Sequence, residues 1–197
     1  MMTVVPALPV ARGRSQGVPG ESVDQTLVQA QEGDATAFAA LVRKHQSMVF
    51  SLALHMLRNR AAAEDLAQEV FLELYRSLGR LESAAHVVSW LRRVTSHRCI
   101  DELRRVRHRM EMPTDTVPDV PEQPRSREVF LEERLQQLLE RLPPRARMVM
   151  VLKYQEEMES PDIAEALNMP LNTVKSHLRR SLAVLKAALA KEGIHAS

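Results

Sequence analysis

Residues 160–180, SPDIAEALNMPLNTVKSHLRR, constrain the fold more than any other segment, because they predict two short helices joined by a tight turn. Ser160 is a suitable N-cap for the first helix, with Pro161 at the first helical position, where a missing N–H costs nothing. Asn168 tolerates the left-handed conformation that a helix exit often requires. Asn172 is the expected N-cap of the second helix. The segment therefore predicts a helix-turn-helix.

The second of these helices has one apolar and one basic face. Val174 and Leu178 are four residues apart and point inward. Between Leu171 and Lys191 there are five Lys or Arg and no acidic residue. A plain helical hairpin with a solvated basic face is the alternative, and the absence of acidic residues disfavours it. The pattern is typical of a helix that reads DNA, and its predicted outer face consists of Thr173, Lys175, Ser176, Arg179 and Arg180.

Charge is concentrated in separate parts of the chain rather than spread over it. The 197 residues carry a formal net charge of only +2. Residues 92–109 nevertheless hold seven Arg against Asp101 and Glu102 alone, whereas Glu64, Asp65, Glu69 and Glu73 lie in a window without a basic residue. Two basic patches and one acidic patch predict DNA and a basic protein surface as partners.

Several classes of protein are excluded by the residues that are missing. The single Cys99 cannot form an intrachain disulfide, which fits a reducing cytosol. No apolar run approaches the roughly 20 residues that span a bilayer, so we expect a cytoplasmic protein without membrane insertion. A Gly-rich phosphate loop, an HExxH motif and Cys/His metal spacing are all absent from the sequence. We therefore expect neither an enzyme nor a cofactor or metal site.

The periodicity of apolar residues is helical along the chain and predicts an all-α fold. Residues 1–22 are expected to form a disordered arm, since they are rich in Gly, Pro and Ser. Residues 23–109 predict four helices and a first domain. Four prolines between Met112 and Pro124 predict an extended linker over residues 110–126. Helical periodicity returns over 127–191, the second domain, and residues 192–197 form a tail.

Two helices of the first domain carry the charged patches. The helix at 61–78 has an apolar stripe, and Asp65, Glu69 and Glu73 share a strip on its other face with Gln68 beside them. In the segment from His86 to Arg109 the inner face consists of Trp90, Leu91, Val94 and Ile100. Trp90 is expected in the core rather than stacked on a base. The outer face of that segment consists of Arg92, Arg93, Ser96, His97, Asp101, Arg104 and Arg105, and guanidinium groups suit phosphates and base edges.

Together these segments resemble a known family. EDLAQEVFLELYR, followed by VVSWLRRVTSHRCIDELRR, resembles the second conserved region of bacterial sigma factors. LEERLQQLLERLPPRARMVMVLKYQEEMESPDIAEALNMPLNTVKSHLRRSLAVLK resembles their fourth region. The order, the spacing and the Pro-rich linker are similar to those of the extracytoplasmic-function subfamily, which has just these two domains. The resemblance covers Val23 to Lys191.

The resemblance implies a role for each patch. This chain would bind core RNA polymerase at the clamp helices of the β′ subunit and at the β flap. The residues of this chain implied to contact the clamp helices are Asp65, Gln68 and Glu69. The loop 83–86, with Ser83 and His86, would capture a base flipped from the minus-ten element. The melting duplex would be lined by Arg92, Arg93, Ser96, His97 and Arg98. The minus-thirty-five element would be read by Thr173, Lys175, Ser176, His177, Arg179 and Arg180, where the family commonly has Arg in place of His177. Promoter DNA and an anti-sigma factor are the other implied partners.

A different class of protein also carries this motif. A regulator that binds duplex DNA as a dimer, without docking on polymerase, would use a similar helix-turn-helix within residues 144–191. Such regulators usually pair the motif with a sensor or receiver domain, which the acidic and Arg-rich helices at 61–109 do not resemble. Comigration with core RNA polymerase would distinguish the two hypotheses.

Overall fold

In a computed structural model of the 197-residue chain, the backbone is described over residues 21–110 and 127–191 and the side chains over 24–107 and 134–191. These residues form helices and no strand, which confirms the predicted all-α class. The elements are α1 (Glu21–Gln31), α2 (Ala35–Leu57), α3 (Arg60–Ser77), a 3₁₀ turn (Leu78–Arg80), α4 (Ala84–Met110), α5 (Arg127–Glu140), α6 (Pro144–Tyr154), α7 (Ser160–Ala166) and α8 (Leu171–Lys191). The predicted arm, linker and tail lie outside the described residues, except that residues 21, 22 and 110 are helical.

Local capping residues determine where the two central helices begin. Asp34 is the N-cap of α2, and its Oδ1 accepts the N–H of Thr36 at 2.7 Å and that of Ala37 at 3.3 Å. Asn59 does the same for α3, accepting the N–H of Ala62 at 3.0 Å. These side chains satisfy donors that have no partner inside a helix. A short polar residue at each boundary therefore separates α2 from the helices beside it.

The first unit, α1–α4, packs around α2, which contacts all three other helices of the unit. The apolar stripes expected from the sequence supply this core, since Leu41, Leu52, Val70 and Leu91 are all buried. Trp90 is 8% exposed and also belongs to the core, as predicted. Each helix of the unit thus buries one apolar face against α2 or its neighbours.

The second unit, α5–α8, contains a smaller apolar cluster between α5, α6 and α8. Its buried members are Leu138, Leu142, Ala146, Met150 and Leu185. The other face of α6 is also buried, so that Met148, Val149, Val151 and Leu152 are covered as well. These residues belong to the same continuous core as Leu91 and Cys99 of α4. Because α4 and α2 contact α6, and α4 contacts α7, the two units share one hydrophobic core.

Polar contacts cross the boundary between the units beside this core. The buried Arg147 of α6 donates from a terminal guanidinium nitrogen to the His55 carbonyl oxygen at 2.9 Å. That carbonyl lies in the last turn of α2, where it lacks a partner within the helix and where a positive charge is favourable. Burial is the main cause that lowers the pKa of Arg147. Burial also raises the pKa of the Cys99 thiol to about 12, so the thiol is neutral and a poor nucleophile.

Two predicted helix caps are wrong. Glu159 occupies the N-cap position of α7, so Ser160 is its first helical residue. Pro170 precedes α8, and its carbonyl accepts the N–H groups of Thr173 at 2.8 Å and Val174 at 3.2 Å. Asn172 therefore lies within the first turn of α8 and does not cap it. A proline ring fixes φ near its helical value, so the helix can begin directly after Pro170.

Candidate nucleic-acid interface

The α7–α8 motif has the geometry expected of a helix-turn-helix. Asn168 adopts a left-handed conformation with φ of 48°, as the sequence predicted. The Met169 N–H then donates to the Ala164 carbonyl at 3.0 Å and closes the turn. Ile163 and Val174, one from each helix, are fully buried and hold the two helices together. The outer side of α8 is thereby fixed in direction relative to the rest of the second unit.

The outer side of α8 carries cations that are free to bind an anion. Lys175, Arg179 and Arg180 are exposed, whereas Thr173, Ser176 and His177 are half-buried. Within the described part of the chain, none of the three cations forms an ion pair. Such unpaired cations on one helix are the electrostatic footprint of a nucleic-acid contact.

His177 differs from the cations around it. Burial lowers the pKa of His177, and the neighbouring charges of Arg180 and Arg145 lower it further. The imidazole is therefore neutral at pH 7 and can both donate and accept a hydrogen bond. Arg145, exposed in the first turn of α6, extends the basic surface and was not identified from the sequence. The sequence marked Arg145 only as a basic residue directly after Pro143 and Pro144.

The residues predicted to line the melting duplex do not share one surface. Arg93 and His97 are exposed on α4. Arg92 instead faces the second unit, where its Nε lies 3.6 Å from Oε2 of Glu156. Burial is the main cause that raises the pKa of Glu156, and the charge of Arg92 partly opposes it. In this arrangement the guanidinium of Arg92 is occupied by a carboxylate of the same chain.

Arg98 and Ser96 take different places again. Arg98 donates to Oε2 of Glu73 at 2.7 Å and lies 3.7 Å from Glu69, so it partly neutralises the acidic helix. The hydrogen bond to Glu73 is the main cause that raises the pKa of Arg98. Ser96 is 0% exposed, and its predicted place on the outer face of α4 is wrong. The reason is that the second unit covers a further side of α4, so more than one stripe of this helix is buried.

The predicted capture loop, residues 83–86, lies at the start of α4. The Ser83 Oγ accepts the N–H of His86 at 3.2 Å and so caps the helix. The Nδ1 atom of His86 lies 3.4 Å from the Glu82 N–H. Ala85 and His86 are exposed, while Leu81 beside them is buried. The prediction of a loop over 83–86 is therefore wrong at Ala84, Ala85 and His86, which form the first turn of α4, and only Ser83 precedes the helix.

The acidic strip lies on α3 beside an apolar groove. Asp65, Gln68 and Glu69 are exposed, as predicted. Among the described residues Asp65 has no ion pair, whereas Glu69 is shared with Arg98. The neighbouring groove, about 670 Å³ in volume, is lined by Phe38, Val42, Phe50, Phe71 and Leu72 with Gln68 at its polar part. Leu72 is 57% exposed and was missed, because it lies off the apolar stripe of α3.

Comparison with known proteins agrees with this geometry. The model of sigma-70 region 2 matches residues 41–109, and the model of sigma-70 region 4 matches residues 132–185. The extracytoplasmic-function RNA polymerase sigma factor SigE of Mycolicibacterium smegmatis is 33% identical over 182 residues, covering 88% of this chain and 70% of its own length. The chain belongs to the sigma-70 family. SigW of Bacillus subtilis, also an extracytoplasmic-function RNA polymerase sigma factor, is 29% identical over 181 residues. That match covers 85% of this chain and 96% of SigW.

Two solved structures share the fold of this RNA polymerase sigma factor. CnrH, solved in complex with the cytosolic domain of CnrY, superposes with a TM-score of 0.64 at 23% identity and covers 86% of this chain and 98% of its own. RpoE of Bartonella quintana, solved with the anti-sigma factor NepR, gives a TM-score of 0.60 at 18% identity over 78% of this chain and 96% of its own. Across the described ranges, no helix of this sigma factor is long and apolar enough to cross a bilayer.

Proposed function

We propose that this sigma factor acts in the cytoplasm by binding core RNA polymerase through α3 and directing initiation at promoters with two DNA elements. In this proposal α8 reads the minus-thirty-five element in the major groove. Residues 83–86 at the start of α4 and the exposed side of that helix capture and help melt the minus-ten element. The observation that carries the proposal is the unpaired basic face of α8 on the same chain as the exposed acidic strip of α3.

The acidic strip suits a basic partner surface, which we take to be the β′ clamp helices. Asp65 is the stronger candidate contact, since Glu69 already lies 3.7 Å from Arg98. The exposed Leu72 beside Gln68 offers apolar area to the same partner. An apolar centre with charges at its rim is the common anatomy of a protein interface.

The two DNA-reading surfaces lie on different units. Once one unit has bound its DNA element, binding of the second unit to its own element is intramolecular. Linking the two units therefore raises the effective concentration of the second unit at that element. In this structure the two units share one core. If the two DNA elements lie farther apart than this arrangement can span, the contacts between the units would have to open. An anti-sigma factor that binds the arrangement with a shared core would hold the protein inactive, and the solved complex of the sigma factor RpoE with the anti-sigma factor NepR motivates this part of the proposal.

The test is run-off transcription with purified core polymerase, comparing the wild-type chain with an Asp65→Lys/Glu69→Lys variant. At 4 Å a pair of charges interacts by about 1 kcal/mol in water and about 4 kcal/mol near a protein surface. Exchanging attraction for repulsion should therefore weaken core binding by roughly a hundredfold or more. A Glu32→Lys/Glu157→Lys variant makes the same charge change at exposed positions away from α3 and should transcribe normally.

Two results would contradict the proposal. Undiminished core binding by the Asp65→Lys/Glu69→Lys variant, with an intact helical spectrum, would show that the strip is only a solvated face. Tight binding of the isolated protein to a palindromic duplex, unchanged by core polymerase, would support the dimeric regulator instead.

A further inference from the structure

Helix α1 lies before the segment matched by the sigma-70 region 2 model, yet its side chains hold the predicted capture loop. The Nε2 of Gln31 donates to the Leu78 carbonyl at 2.8 Å and to the Leu81 carbonyl at 2.7 Å. Oδ1 of Asp24 accepts the N–H of Ala84 at 2.8 Å. Three bonds from one helix thus reach the backbone at Leu78, Leu81 and Ala84, 47 to 60 residues farther along the chain.

The three bonds differ in the groups that they satisfy, since the Leu78 carbonyl also accepts the N–H of Leu81 at 3.0 Å. An amide nitrogen has two N–H donors, and Gln31 uses one for each carbonyl. The Ala84 N–H is one of the free donors at the start of α4, where a carboxylate is also favoured by the helix dipole. Ser83 satisfies a second such donor, that of His86. Asp24 and Ser83 together therefore determine where α4 begins.

Helix α1 is itself firmly anchored. Leu27 and Ala30 on α1 are buried in the core of the first unit, as are Leu78, which begins the 3₁₀ turn, and Leu81, which follows it. The polar residues of α1 and the backbone groups that they bind are therefore attached to the same packed core. Ser83 and His86 are presented from this core rather than from a free loop.

We propose that Asp24 and Gln31 are positioning residues for promoter melting, which keep Ser83 and His86 in the geometry that takes up an unstacked base. This inference rests on the proposed function. An extruded base has lost its stacking and pairing, so its capture is favoured only if the receiving groups are already in place. A pocket that had to order at the moment of capture would lose the advantage of preorganisation.

The test follows melting by the holoenzyme on a promoter that it transcribes, with 2-aminopurine at the base to be captured. Asp24→Leu removes the acceptor, and Gln31→Met keeps the length of the side chain without its donors. Both variants should form the open complex roughly ten- to hundredfold more slowly, the scale on which small misplacements lower rates. Asp24→Asn retains an acceptor oxygen and should restore most of the rate. A template already opened across the minus-ten element should transcribe equally well with all variants.

A matched control separates positioning from stability. Asp34→Ala removes an N-cap from α2, where Asp34 accepts the N–H groups of Thr36 and Ala37, and touches neither residues 83–86 nor α3. It should lower the thermal midpoint about as much as Asp24→Leu while leaving the melting rate unchanged. Equal loss of melting in Asp34→Ala, or wild-type rates in Asp24→Leu and Gln31→Met, would overturn the positioning role alone. No run-off by the wild-type chain with core polymerase would overturn the proposed function, and the positioning role with it.

Discussion

Truncation of Leu152 to alanine tests whether the two units share one cooperative core. Leu152 lies on α6 and is 0% exposed, and its buried cluster includes Leu91 and Trp90 of α4. The substitution removes three buried carbon groups, each worth about 0.8 kcal/mol of hydrophobic stabilisation, so the free energy of unfolding falls by about 2.4 kcal/mol. The cavity left behind raises the cost to about 3 kcal/mol, within the range for buried leucines. In a domain of this size that corresponds to a fall of roughly 6–12 °C in Tm.

The position of the only tryptophan makes the assay specific. Trp90 belongs to the first unit, whereas the substitution is in the second. Fluorescence of Trp90 therefore reports on the first unit, and circular dichroism reports on all helices. If the units unfold together, both midpoints should fall by the same amount in Leu152→Ala. Val184→Ala, at a side chain that is 53% exposed on α8, is the matched control and should change stability by less than about 0.5 kcal/mol.

The reasoning is refuted if the Trp90 midpoint does not move. An unchanged fluorescence transition alongside a split circular dichroism curve would mean that each unit has its own core. The contacts of Arg147 with His55 and of Arg92 with Glu156 would then contribute nothing to global stability.

Three further predictions follow from single side chains. Asp34→Ala should cost about 1 kcal/mol in a thermal melt, because Asp34 caps α2 with two hydrogen bonds, and Asp34→Asn should recover most of it. Burial, followed by the charge of Lys44, lowers the pKa of His45, so its stabilising contribution is present above its ordinary pKa of 6.5 and is lost as the pH falls through the folded value. His45→Leu should therefore flatten the decline in stability between about pH 7 and pH 5, and an unchanged decline would contradict this assignment. Lys175→Ala or Arg179→Ala should lower use of the upstream element roughly ten- to hundredfold in a way that depends on the base pair, and a uniform loss in a run-off series of promoter variants would instead indicate phosphate contact.

Much of the fold could be predicted from the sequence because helix formation is recorded locally. Apolar residues at helical spacing marked α2, α3 and α4, and the buried Leu41, Val70 and Leu91 lie on those stripes. The turn of the helix-turn-helix was equally local, since Asn168 adopts the left-handed conformation that its side chain tolerates. The exposed positions of Lys175 and Arg179 followed from the same periodicity.

The candidate site was less predictable wherever a partner lies far away in sequence. A helical pattern shows which residues share a face but not how many faces are covered. Ser96 is buried because the second unit packs on a side of α4 that its own periodicity assigned to solvent. Arg92 and Arg98 belong to one Arg-rich run, yet one pairs with Glu156 of the second unit and the other with Glu73 of α3.

The sequence by itself thus determined the helices, the helix-turn-helix and the charge of each exposed helix face, because these depend on residues within one or two turns. Only the tertiary structure decided which charged groups remain free for a partner. That outcome depends on contacts across the chain, such as the bond from Asp24 to Ala84, which join residues without any local pattern in common. Burial and pairing are properties of the packed helices, and they separate a cation that can bind DNA from one already bound within the protein.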